Sequence, residues 1–199
     1  MCPRLLYCKL RCIYDIAADI SRAGDCLNGN CHFVFGAALG TAIAVNVDRI
    51  SAVLPNVTAT PETATLFVLG GFLGGIFPDI DNPTSYMGKL SSPVSRWIGK
   101  VNAAFGKEGA HHRGIFHDGA IYILSLILSY LFFPPLIGFF VGCLSHIFLD
   151  MFNPSGVPFL LGVKHFHLGK IESGSKASAL FTWLNVGLVA VAGTILRFV

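Results

Sequence analysis

Charged side chains are scarce in this chain. Asp, Glu, Lys and Arg make up 13% of its residues, against about 25% in an ordinary soluble domain. Hydrophobic residues make up 53%, and the mean hydropathy is +0.65. The shortage excludes a nucleic-acid binder, which needs a basic stripe on a well-solvated surface, and points to contact with lipid. No Cys-x-x-Cys pair occurs among Cys2, Cys8, Cys12, Cys26, Cys31 and Cys143, so a zinc knuckle is not expected. The cysteines of residues 1–31 read as reduced thiols of a cytoplasmic arm, with Cys31 set apart by its neighbour His32. An unbroken apolar run near the start is missing too. Arg4, Lys9 and Arg11 interrupt it and Asp15 and Asp19 follow, so residues 1–31 do not read as a signal peptide.

What is present is a set of five apolar stretches: Phe33 to about Leu54, Ala64–Phe77, Ala120–Phe133, Leu136–Leu149 and Ala179–Phe198. The first and last reach the roughly 20 residues of a straight span. The middle three are shorter and suit tilted or re-entrant helices. Helix is expected throughout, because backbone facing lipid must satisfy its own hydrogen bonds. The expectation is an all-α, polytopic helical membrane domain over residues 32–199 of about five transmembrane or re-entrant helices, preceded by the arm of residues 1–31. Gly70, Gly71, Gly74 and Gly75 allow close packing in the second stretch, and Pro134-Pro135 marks a turn. Residues 48–63, 78–116 and 150–178 read as loops.

The basic residues are unevenly placed. Five spans put the arm, the 78–116 loop and the 150–178 loop on one side, and that side holds every Lys and Arg except Arg49 and Arg197. The positive-inside rule makes it cytoplasmic. The expected location is therefore an inner membrane, multi-pass, with a cytoplasmic N-terminus.

The polar motifs fall at the cytoplasmic ends of these helices. His32 opens the first, and Asp79 and Asp81 close the second. His112 and His117 precede the third, while His146 and Asp150 close the fourth. Ionisable groups at membrane depth are costly and generally functional. Imidazole and carboxylate together suit zinc, with manganese or iron as alternatives. His146 and Asp150, four apart, share a helical face. One or two ions fit this number of candidates, and a bound ion lowers the pKa of its water to about 7. Arg113 has the fork that pairs with a phosphate or a developing oxyanion. Asp118, or an aspartate left uncoordinated, is the expected proton acceptor. Each element also has a plainer reading. Asp79 and Asp81 can cap a turn between prolines. His146 and Asp150 can form a buried hydrogen-bonded pair, and His111, His165 and His167 read as surface residues. A metal transporter would place its ligands near the midplane, and a structural metal would have a closed four-ligand site.

At these residues the chain resembles the YdjM family, described as LexA-regulated inner-membrane proteins to which metal-dependent hydrolysis, phospholipase-like, is ascribed. The resemblance runs from about His32 to Lys176. It is carried by His32-Phe33-Val34-Phe35-Gly36, by Pro78-Asp79-Ile80-Asp81 with Pro83 and Ser85, and by His112-Arg113-Gly114 with His117. Leu144-Ser145-His146, Leu149-Asp150, Asn153-Pro154, Gly156-Val157-Pro158 and Gly174-Ser175 complete it. It implies a hydrolase whose metal set is His32, Asp79, Asp81, His112, His117, His146 and Asp150; the position of these residues makes an ester or phosphodiester at the cytoplasmic membrane face the expected substrate. Membrane lipids are the expected partners and a lipid headgroup the expected substrate, with no nucleic acid. Oligomeric state has no signature in the sequence. Asn82, Asp118 and Lys176-Ala177-Ser178 depart from the family pattern.

Overall fold

The computed structural model describes residues 30–82, 85–104, 115–160, 164–172 and 175–198. Its helices, in chain order, are α1 (Asn30–Val45), α2 (Val47–Val53), α3 (Pro61–Ile76), α4 (Tyr86–Leu90), α5 (Ser92–Ala104), α6 (Gly119–Phe132), α7 (Ile137–Asp150) and α8 (Lys176–Phe198). Two short strands, β1 (Val157–Phe159) and β2 (Lys164–Phe166), form an antiparallel hairpin with Val157 opposite Phe166.

All five apolar stretches fold as helices. Two are long and apolar enough to cross a membrane alone: α3 with its extension to Asp81, 21 residues, and α8, 23 residues. The first stretch is broken at Asn46, where α1 and α2 meet at 70°, and the pair counts as a third crossing if taken as one span. Asn46 makes the break useful, because its buried amide donates to Ala42 O at 2.8 Å and to Gly193 O at 3.0 Å, tying α1 to α8. The α6 and α7 helices are shorter. The outer faces of α3, α6 and α8 expose Leu69, Leu73, Leu124, Leu128, Leu184 and Leu188. Soluble monomers rarely carry so much contiguous apolar surface.

The centre of the bundle is closed by glycine. A side chain on Gly36 or Gly142 would collide with the Gly71 carbonyl, and one on Gly74 with the Phe139 carbonyl. A Cβ on Gly75 would lie 2.6 Å from His32 O. Backbone therefore touches backbone where α3 passes between α1 and α7, the close approach that small residues permit in membranes. This packing brings His32 on α1 and His146 on α7 together beside the end of α3.

Two of the expected loops hold more structure than the sequence reading gave them. Residues 78–116 contain α4 and α5, and residues 150–178 contain the hairpin. In α5, Val94, Trp97, Ile98 and Val101 stand at i, i+3, i+4 and i+7, a helical period diluted in hydropathy by Arg96 and Lys100. Between residues 48 and 63, α2 occupies Val47–Val53, and α3 begins at Pro61 with Thr60 as N-cap, its side chain accepting from Thr63 N at 3.2 Å.

Candidate metal centre

The α3 helix cannot continue past Ile76 in regular form. Pro78 has no N–H to donate, and the chain tightens into a 3-10 turn over Phe77–Asp81. With about three residues per turn, Asp79 and Asp81 diverge, and the His117 ring lies between them. His117 Nε2 is 3.6 Å from Asp79 Oδ1, and its Nδ1 is 3.5 Å from Asp81 Oδ2. His117 ends the short 3-10 turn Ile115–His117 and is fully buried. Tyr122, one turn into α6, donates its hydroxyl to Phe116 O at 2.8 Å and pins that turn.

From the last turn of α7, His146 Nε2 lies 3.7 Å from Asp79 Oδ1 and 3.8 Å from Asp150 Oδ2. Asp150 Oδ2 is 3.7 Å from His117 Nε2, while its Oδ1 is 3.7 Å from His32 Nε2. The His32 ring stacks on that of His146, centroids 3.9 Å apart. Among the described residues, two groups of side chains are close enough to hold an ion: His32, His146 and Asp150, and Asp79, His117 and His146.

His146 decides what this arrangement can do. Its Nδ1 lies 2.8 Å from the Gly75 carbonyl. A carbonyl only accepts, so Nδ1 carries the proton, and in the neutral ring Nε2 presents a lone pair. That nitrogen is buried and has no hydrogen-bond partner among the described residues. It faces two carboxylate oxygens, themselves acceptors, and such a cluster is relieved by a cation between its members. Neighbouring ligands around a tetrahedral ion with bonds of about 2.0–2.1 Å stand about 3.3–3.4 Å apart. The imidazole–carboxylate pairs, at 3.6–3.8 Å, need to close by only a few tenths of an ångström, and all donor atoms of each group lie within 4.8 Å of one another. Two carboxylates and neutral imidazoles also balance a divalent charge. The donor set fits the metal that the sequence implies.

His117 is the titrating group outside the spans. Burial alone would push its imidazole down, but the Asp79 and Asp81 carboxylates on either side outweigh that and raise it to about 9.

Of the residues singled out from the sequence, His32, Asp79, Asp81, His117, His146 and Asp150 are brought together. His112 and Arg113 lie outside the described residues, as does His111. Asp81 stands apart from both ion-holding groups and faces the far nitrogen of His117, the place of a partner that orients a metal-binding histidine. Asp118 is buried and caps α6, its Oδ1 accepting from Ala120 N at 2.9 Å. His165 and His167 are exposed. Cys31 is buried beside His32 and belongs to neither group. Sequence reasoning missed the Gly75 carbonyl and the Tyr122 hydroxyl, because one is backbone and the other is a tyrosine inside an apolar run.

The family model described as YdjM inner membrane protein matches residues 27–196. Inner membrane protein YdjM of Escherichia coli (strain K12) is 37% identical over 94 residues, 43% of this chain and 43% of its own length. The protein of the same description from Shigella flexneri gives the same figures. The matched stretch thus spans less than half the length of these relatives. No solved structure matches.

Proposed function

We propose, for a chain that belongs to the YdjM inner membrane protein family, that the cluster of His32, Asp79, His117, His146 and Asp150 binds one divalent cation and hydrolyses an ester or phosphodiester at the membrane face. The observation that carries this reading is the buried His146 Nε2, held by Gly75 in the tautomer that offers its lone pair to the cluster. A nitrogen lone pair binds one ion, so His146 cannot serve both groups at once, and one ion is favoured over two. Imidazole and carboxylate ligands favour zinc, with manganese and iron as alternatives. When bound, the ion supplies Lewis acidity toward the substrate oxygen and acidifies a water.

The chain's own residues supply the rest. The Gly75 carbonyl fixes the His146 ring, and Asp81 fixes that of His117, each leaving Nε2 turned toward the cluster. Asp79 is the most exposed of the three clustered carboxylates, which suits it to pass a proton to solvent. Asp118, the expected acceptor, has one oxygen committed to the start of α6. The family's location and the position of the cluster at a helix end favour a lipid headgroup as substrate and the cytoplasmic side, by the charge bias, as its face.

Elemental analysis of the detergent-purified protein tests this, with a phospholipid-hydrolysis assay on the same sample. One divalent ion per chain is expected, lost in His146→Ala, with hydrolysis abolished by a chelator and restored by the ion. Absence of metal overturns the whole reading. Metal without hydrolysis of any ester or phosphodiester leaves a structural metal site and overturns the enzymatic part.

A further inference from the structure

The α4–α5 pair carries an apolar surface that the fold leaves uncovered. On α5, only Ser95 and Ile98 among residues 92–98 are buried, and the helix packs on the Phe77–Asp81 turn. Val94 is 46% exposed, Trp97 65% and, on α4, Tyr86 49% and Leu90 71%. At 100° per residue, Val94 and Trp97 form one stripe of α5 while Lys100 and Arg96 follow on its flank. Lys89, Arg96 and Lys100 are all exposed, and none forms an ion pair among the described residues.

The position of the pair selects what covers this face. Both helices pack on the Phe77–Asp81 turn that ends the α3 span, and Ser85, the N-cap of α4, donates its hydroxyl to Asp79 O at 2.7 Å. They therefore lie at the depth where that span leaves the apolar layer. A helix pair at that depth that exposes Leu90 on one helix and Val94 and Trp97 on the other, with a cationic flank, has the make-up of a segment lying in the interface. Its cations match anionic headgroups, each Lys or Arg near a negative leaflet adding about fivefold to the attraction.

We infer that α4 and α5 form an in-plane anchor that seats Leu90, Val94 and Trp97 in the membrane interface and gathers anionic phospholipid through Lys89, Arg96 and Lys100. The anchor grips the turn that carries Asp79 and Asp81, yet the inference does not depend on the metal or on hydrolysis.

The test uses the full chain in lipid nanodiscs. The sequence has two tryptophans, Trp97 and Trp183, so Trp183→Phe leaves Trp97 as the only indole. A phospholipid brominated high on its acyl chains quenches an indole seated in the interface, and aqueous acrylamide quenches one in water. Trp97 is expected to be quenched by the bromolipid and shielded from acrylamide. Quenching should be stronger when bromine is carried on phosphatidylglycerol than on phosphatidylcholine at equal mole fraction. That preference should vanish in a Lys89→Gln, Arg96→Gln, Lys100→Gln variant that still incorporates into nanodiscs. Ready quenching by acrylamide overturns the inference by placing the face in water. Quenching by neither agent overturns it by placing the face against a second copy of the chain. Equal quenching by both bromolipids overturns the selection of anionic lipid.

Discussion

Replacing Gly75 by alanine adds one methyl group where α3 meets α1. The new Cβ would lie 2.6 Å from His32 O and 3.0 Å from Phe33 Cα, whereas ordinary contact begins at 3.4 Å. Both obstacles are backbone and cannot rotate away, so α1 must retreat by about 0.8 Å at the residue that carries the His32 imidazole. Overpacking of this kind costs about 1–3 kcal/mol, more than the 0.5–1 kcal/mol that alanine gains over glycine inside a helix. Metal–ligand distances hold to about 0.2 Å, so His32 is displaced by several times the tolerance. The same shift strains the Gly75 carbonyl that holds His146 Nδ1. Loss of such an orienting contact costs about 10–100-fold in metal affinity. Titration of the chelator-stripped protein with zinc in detergent measures the affinity, and the thermal unfolding midpoint measures the packing. Gly187→Ala is the control, because nothing lies within 4 Å of a Cβ built there; it should leave the affinity unchanged and raise the unfolding midpoint slightly, through the roughly 0.5–1 kcal/mol that alanine gains inside a helix. Wild-type affinity in Gly75→Ala would refute the claim that this backbone contact sets the position of the His32 and His146 nitrogens.

Asp81→Asn should keep one ion per chain but weaken it about 10–100-fold, since Asp81 faces His117 Nδ1 and stands outside both ion-holding groups; complete loss of the ion by elemental analysis would make Asp81 a ligand. Asp118→Asn retains an oxygen for Ala120 N and should keep the start of α6 capped, whereas Asp118→Ala removes the cap and should cost about 0.5–2 kcal/mol; a stable Asp118→Asn protein that binds the ion but lacks activity would make Asp118 the proton acceptor. His117, raised from 6.5 to about 9 in the metal-free protein, holds a proton that supports the fold fully below pH 6.5, and that support is lost as pH rises through 9. The same proton competes with a cation for the ring, so ion binding at pH 7 should release a proton and affinity should rise with pH up to about 9; calorimetry in buffers of different ionisation enthalpy reads this, and no proton release would remove His117 from the ligand set.

Much of the fold was legible because polar residues stand out in a chain so poor in them. The fourth apolar stretch, read as Leu136–Leu149, folds as Ile137–Asp150, and the fifth, read as Ala179–Phe198, as Lys176–Phe198. What escaped was encoded in period rather than hydropathy. The α5 helix carries its apolar residues at helical spacing among cations, and the hairpin strands are three residues each. The break at Asn46 was hidden because one amide scarcely alters the mean of its stretch, although it bonds across to Gly193 O. Within the site, helix-end positions and the i, i+4 spacing of His146 and Asp150 were readable. The division of labour between Asp79 and Asp81 was not, since it depends on the 3-10 turn that Pro78 imposes and on which face of His117 each carboxylate meets.

The glycines also bear on why the cluster lies at the end of the bundle. A path for an ion between α1, α3 and α7 needs side chains or water at mid-depth to replace its hydration, and transporters place their sites there. Here Gly36 and Gly71, and Gly71 and Gly142, meet backbone to backbone, with no room for even a Cβ between them. Asn46, the buried polar group where α1 ends, is bonded to Ala42 and Gly193 carbonyls and sits 14 residues from His32, about 21 Å along the helix. Beyond it Arg197 donates to Asp48 Oδ1 at 2.6 Å, joining α8 to α2 on the face opposite the histidines. An imidazole can enter only where the glycine contact ends and Pro78 turns the chain aside. The tight packing of these glycines is therefore what fixes three separate helix ends closely enough for their side chains to be able to hold a cation.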